Sequence, residues 1–96
     1  MKLVVRKKAL ADIDHIERWI AQDNPTAAQE IADTLQTAFG RLPEFPFRGR
    51  RGRISGTREL VFRGLPYVLT YRVDEERGEI VIVGITHGAR LKRRAY

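Results

Sequence analysis

Residues 57–87 read TRELVFRGLPYVLTYRVDEERGEIVIVGITH, and this stretch decides the fold. β-Branched and aromatic residues gather in three runs, Thr57 to Phe62, Tyr67 to Val73 and Glu79 to His87, parted by Arg63-Gly64-Leu65-Pro66 and Asp74-Glu75-Glu76-Arg77-Gly78. Runs of this composition between turn formers read as strands. Connections this short join antiparallel neighbours. Within the middle run Tyr67, Leu69, Tyr71 and Val73 share one face, expected to pack in the core, and Val68, Thr70 and Arg72 take the other.

Upstream of these strands the period changes. Leu3, Val4 and Val5 form a short strand, after which Leu10, Ile13, Ile16 and Ile20 recur at helical spacing and predict a first helix over Ala9 to Gln22. Asp23-Asn24-Pro25 stops that helix and starts another, with Asn24 as N-cap and Pro25 at the first helical position, where its missing N–H costs nothing. Ala28, Ile31, Leu35, Ala38, Phe39 and Leu42 make the apolar stripe of the second helix, which Pro43 ends. So short a connection makes an antiparallel helical hairpin. The expected order is β-α-α-β-β-β, an α+β domain in which the hairpin packs on one face of a small, mostly antiparallel sheet and the other face stays partly open. At 96 residues the chain is expected to be a single domain, with Gly88 to Tyr96 a basic C-terminal tail.

Charge is distributed unevenly along this frame. Residues 1–47 hold six basic and seven acidic residues, while residues 48–96 hold twelve basic and five acidic, so the formal net charge of +6 comes from the second half. Fourteen of the eighteen cations are arginine, whose planar fork binds phosphate or carboxylate bidentately. Between Pro43 and Gly56 prolines and glycines break the pattern, and Arg48, Arg50, Arg51 and Arg53, followed by Arg58 and Arg63, form the densest basic patch. These six arginines are the candidate contacts to nucleic acid or an acidic partner; a solvated loop is the bland alternative.

Several chemistries are excluded by what is missing. With no cysteine there is no disulfide, thiol nucleophile or thiolate metal site, which fits a reducing cytoplasm, the expected compartment. Ser55 is the only serine and stands in no nucleophile elbow. The two histidines, His15 and His87, are too few for an imidazole zinc site, so neither metal nor cofactor is expected. The longest apolar run, Ile80 to Ile85, is far short of a membrane span, and the chain from Met1 lacks the apolar length of a secretory signal, so the whole of it is expected to be mature protein. His15 reads as a partly exposed helix residue, and Trp19, one turn beyond Ile16, as packing at the flank of the hairpin, with a partner groove as the alternative. His87 ends the last strand, where an imidazole can move protons near neutral pH or simply hydrogen-bond a neighbouring backbone group.

Taken together, Asp23-Asn24-Pro25 with Ala27-Ala28, the run Gly56-Thr57-Arg58-Glu59-Leu60-Val61, the strand Pro66 to Val73 and the ending Ile85-Thr86-His87-Gly88-Ala89-Arg90 resemble the RelE/ParE superfamily of bacterial toxins, in the right order over nearly the whole chain. The resemblance implies the toxin half of a type II toxin–antitoxin module, held inactive by an antitoxin whose often acidic segment suits a +6 toxin. It also implies one of two mechanisms. RelE-like members cut messenger RNA on the ribosome and use lysine, arginine and tyrosine; by that likeness their cation positions fall on Glu59, Val61 and Val68 here, while Arg90 and Tyr96 find counterparts and His87 is a further catalytic candidate. ParE-like members poison DNA gyrase without being nucleases and lack that cation set, as this chain does. The resemblance therefore favours gyrase as target, with ribosome-bound mRNA as the alternative and a non-toxic basic nucleic-acid-binding module as a third reading.

Overall fold

The computed structural model describes residues 1–88. Its elements are β1 (Lys2–Val5), α1 (Lys7–Ala21), α2 (Pro25–Arg41), β2 (Arg50–Arg51), β3 (Arg58–Val61), β4 (Tyr67–Asp74) and β5 (Glu79–His87). The strands form one five-stranded sheet in the order β1-β5-β4-β3-β2. β1 lies parallel to β5, and every other pairing is antiparallel. A parallel partner cannot be reached through a tight turn. Here the rest of the fold intervenes between β1 and β5.

The helical hairpin forms as its sequence dictates. Asn24 accepts the Ala27 N–H on its side-chain oxygen at 3.1 Å, and Pro25 opens α2, a cap of the kind that contributes about 1 kcal/mol. The two helices cover one face of the sheet, where Tyr71, Leu42, Leu69, Ile80 and Ile82 are fully buried together with Ile16, Ile31, Leu35 and Ile85. Tyr67 and Val73 pack against this cluster, as the alternation along β4 predicts.

Three local expectations are corrected. First, α1 begins at Lys7, two residues earlier than its apolar spacing suggested, and Ala9 rather than Leu10 fills the first core position: Leu10 is 55% exposed. A small residue is needed where a helix enters close to the sheet, and a leucine one position round the helix is turned out to water. Second, Trp19 does not pack at the hairpin flank; it is 65% exposed. Third, the basic loop contains β2, whose pairing with Arg58 and Glu59 is a tertiary contact with no local signal.

A register shift in β5 places the site residues. Thr70 pairs with Gly84 but Tyr71 pairs with Ile82, so β5 carries one extra residue, Val83. Such a bulge exchanges the two faces of the strand that follows. Ile80 and Ile82 face the helices before it, and Ile85 and His87, opposite Leu69 and Tyr67, do so after it. The Ile85 N–H donates to Asp12 Oδ2 of α1 at 3.0 Å, and the same oxygen accepts from Lys8 Nζ at 2.8 Å. Gly84 is required beside this clamp: a Cβ there would stand 2.8 Å from Lys8 Nζ and 2.9 Å from Asp12 Oδ2. Asp12→Ala is expected to lower stability by about 1–3 kcal/mol, because it strands the Ile85 amide. Urea unfolding of the two proteins measures this, and an unchanged midpoint would remove the clamp from the account.

Candidate functional site

One concave region lies between α2 and β3 and another between α1 and the ends of β4 and β5. The first is built where the outer side of α2 meets the edge of β3. Asp33, Thr34, Thr37, Ala38 and Arg41 form one wall, Leu60 to Arg63 with Arg48 form the other, and together they enclose about 340 Å³. Arg41 and Arg48 also border a shallower depression formed with Glu44, Phe45, Pro46 and Phe47. Phe45, Phe47 and Val61 are all exposed, so the arginines rim an apolar surface. Contiguous exposed apolar surface with a polar rim marks a binding region.

The loop that supplies Arg48 is fixed from beneath. Tyr71 Oη accepts the Gly49 N–H at 2.8 Å and donates to Pro46 O at 2.9 Å. Arg58 Nη1 donates to Gly49 O at 2.8 Å and to Phe47 O at 3.3 Å, and its guanidinium lies over the Phe47 ring at 4.9 Å. Gly49 is buried so closely that a Cβ would come within 2.7 Å of Tyr71 Oη and 2.8 Å of Glu59 O. Arg50 is likewise engaged, donating through Nε and Nη2 to Glu59 Oε1 at 3.2 and 3.1 Å, while Glu59 Oε2 accepts the Arg53 N–H at 3.3 Å. Glu59 itself is only 4% exposed.

The six candidate arginines therefore divide. Arg50 and Arg58 hold the loop in place, and the Arg53 backbone joins them. Arg48, Arg51 and Arg63 are exposed, and their side chains, like that of Arg41, have no ion-pair or hydrogen-bond partner among the described residues. Composition could not separate the two sets, because the separation depends on which arginine faces Glu59 or the carbonyls of the loop.

Beside these free cations the sheet edge is open. The Gly52 N–H donates to Thr57 O at 2.8 Å, and the alternation of an antiparallel ladder then turns the N–H and C=O of Glu59 toward β2 and those of Val61 to the same outer side. β2 runs beside Arg58 and Glu59 alone, so among the described residues no strand faces Val61. Unpaired edges of this kind accept a partner strand.

On the sheet face away from the helices, Glu59 stands opposite Thr70 and Val61 opposite Val68, which is 5% exposed. Arg72 lies on the same face beyond Thr70. The sequence candidate His87 lies on the other face, its ring meeting Tyr67 edge-on at 5.7 Å and 82°. Arg90 and Tyr96 lie outside the described residues.

The second concave region is the cleft between α1 and the ends of β4 and β5. Lys8, Asp12, His15 and Trp19 line it from α1, Tyr67, Thr86 and His87 from the sheet, around a volume of about 540 Å³. The sequence reading kept His15, Trp19 and His87 apart. The spacing of residues 8, 12, 15 and 19 along one helical face was the available signal for half of it; the β5 bulge supplied the rest and left none.

Residues 3–92 match the family model of the ParE toxin of the type II toxin–antitoxin system, parDE. The chain belongs to this ParE toxin family. Among curated relatives, Toxin RelE2 of Caulobacter vibrioides is 45% identical over 84 residues, covering 88% of this chain and 91% of that protein. Putative toxin Y4kP of Sinorhizobium fredii is 41% identical over 69 residues, 72% of each chain. Among solved structures, the chromosomal ParDE system from P. aeruginosa contains a chain of the same fold, with a TM-score of 0.78 and 26% identity over 91% of this chain and 95% of that one. This ParE-family chain is thus a type II toxin of the RelE/ParE superfamily, with two helices on a mixed sheet. No helix among the described residues is long and apolar enough to cross a membrane.

Proposed function

We propose that this ParE-family toxin acts by binding and inhibiting DNA gyrase, and that its antitoxin neutralises it by covering the arginine-rimmed groove between α2 and β3. One observation carries the choice of target. RNA cleavage by 2′-hydroxyl attack needs a cation to stabilise the phosphorane and groups to accept and donate protons. Where the likeness to RelE puts its cations, this sheet face has Glu59, already tied to Arg50, and the aliphatic Val61 and Val68. The antitoxin reading rests on the exposed apolar surface, the side chains of Arg41, Arg48 and Arg63, which line the groove with no partner among the described residues, and the open edge at Val61, which together suit an acidic, partly extended segment.

The test is a supercoiling assay with purified gyrase and relaxed plasmid. Inhibition at a few-fold molar excess of toxin, relieved by antitoxin, is expected; supercoiling untouched at large excess overturns the target. The competing reading, ribosome-dependent mRNA cleavage, draws on Arg72 on the same face and on His87, Arg90 and Tyr96. Primer extension on mRNA after induction separates the two, because new 5′ ends lost in an Arg90→Ala, Tyr96→Phe protein would establish cleavage.

A further inference from the structure

The cleft between α1 and β5 is not used by the gyrase reading and shares His87 with the mRNA reading, and it gathers the only tryptophan and both histidines of the chain. We propose that it binds an unpaired nucleobase of a single-stranded nucleic acid, stacked on the Trp19 indole, with Tyr67 and His87 forming the opposite wall and Lys8 at the mouth for the adjoining phosphate.

Four features carry this. Trp19 leaves most of a large ring in water at the end of a helix face whose preceding members, Lys8, Asp12 and His15, also line the cleft. An exposed indole loses water-facing apolar area when a flat ring covers it, and base–aromatic stacking tolerates any base because each has a π-face. The floor is apolar, made by Ile16 and Ile85, and the volume of about 540 Å³ falls in the range of small-ligand pockets. Around the rim, the His15 imidazole, the Tyr67 phenol and the Thr86 hydroxyl are groups able to donate and accept hydrogen bonds.

Electrostatics agree. The carboxylate in the cleft, Asp12, is bound by Lys8 and by the Ile85 N–H, so it does not confront a phosphate as a bare charge. The net charge of +6 draws a polyanion to the molecule. Tyr67 and His87 lie on the helix side of the sheet, away from Glu59, Val61 and Val68, so the cleft is distinct from the face where the likeness to RelE puts its cations.

The experiment uses the full chain, whose one tryptophan reports on the cleft. Its fluorescence is titrated with eight-nucleotide DNA and RNA strands and with an abasic strand of equal charge. Anisotropy of labelled strands then compares the wild type with Trp19→Ala and with His87→Ala. Saturable quenching is expected, with the abasic strand and the Trp19→Ala protein each binding about tenfold more weakly; the DNA and RNA arms tell which polymer the cleft prefers. Equal affinity for the abasic strand, or full affinity in both variants, would reduce the interaction to bulk charge and overturn the proposal. Absence of oligonucleotide binding, with quenching by the antitoxin alone, would overturn it in favour of a protein contact.

Discussion

Reversing two charges at once, Arg48→Glu with Arg63→Glu, is expected to weaken the complex with the cognate antitoxin by about a hundredfold or more while moving the thermal midpoint of the free toxin by only about 2 °C. Both residues are exposed, and neither side chain has an ion-pair or hydrogen-bond partner among the described residues, so the folded toxin loses little when they change. The bound partner loses much. If its carboxylates face this groove, each substitution replaces an attraction by a like-charge contact, and a hundredfold corresponds to about 2.8 kcal/mol at about 1.4 kcal/mol per decade. Calorimetric titration against the antitoxin measures the effect, with Arg51→Glu as the comparison, since Arg51 lines neither depression. Affinity within twofold of wild type for the double variant would place the antitoxin elsewhere.

The largest effect on stability belongs to Tyr71→Ala. This side chain is fully buried, joins β4 to the core and ties both Pro46 and Gly49 through its hydroxyl. Truncating a buried aromatic residue costs about 3–5 kcal/mol, to which the unpaired Gly49 N–H adds. Domains of this size are stable by only about 5–15 kcal/mol in all, so the protein should lose most of its cooperative unfolding transition above room temperature. Tyr71→Phe separates packing from tethering. It keeps the ring and removes the hydroxyl, so a loss of about 1–3 kcal/mol is expected together with faster hydrogen exchange at Gly49. Unchanged exchange there in a folded Tyr71→Phe protein would show that the tyrosine does not hold the loop.

That tyrosine also shows where sequence reading stops. Its place in the core was legible, because residues 67, 69, 71 and 73 alternate on a strand and one face must be buried. Its hydroxyl's role was not, since Pro46 and Gly49 are more than twenty positions away and nothing local links them. The arginines behave likewise. As a cluster they announce a basic surface; that Arg50 and Arg58 are fastened beneath it while Arg41, Arg48 and Arg63 line the groove depends on a pairing of β2 with β3 that only the folded chain creates. Trp19 inverted its expectation for a related reason. Helical spacing says which residues share a face, but not which neighbouring element reaches far enough to cover it.

Local physics in the sequence determined the elements and their order: the Asn24 cap and Pro25 divide the two helices, short polar turns force the last three strands to be antiparallel, and uneven charge places the basic surface in the second half. The tertiary structure decided the sites. β1 reached its parallel place beside β5, the loop from Pro46 to Gly49 was drawn onto Tyr71, and one extra residue in β5 turned Ile85 and His87 toward α1. Each of these depends on contacts between residues distant in the chain, where neither periodicity nor propensity carries information and where the packing of the whole core selects the arrangement.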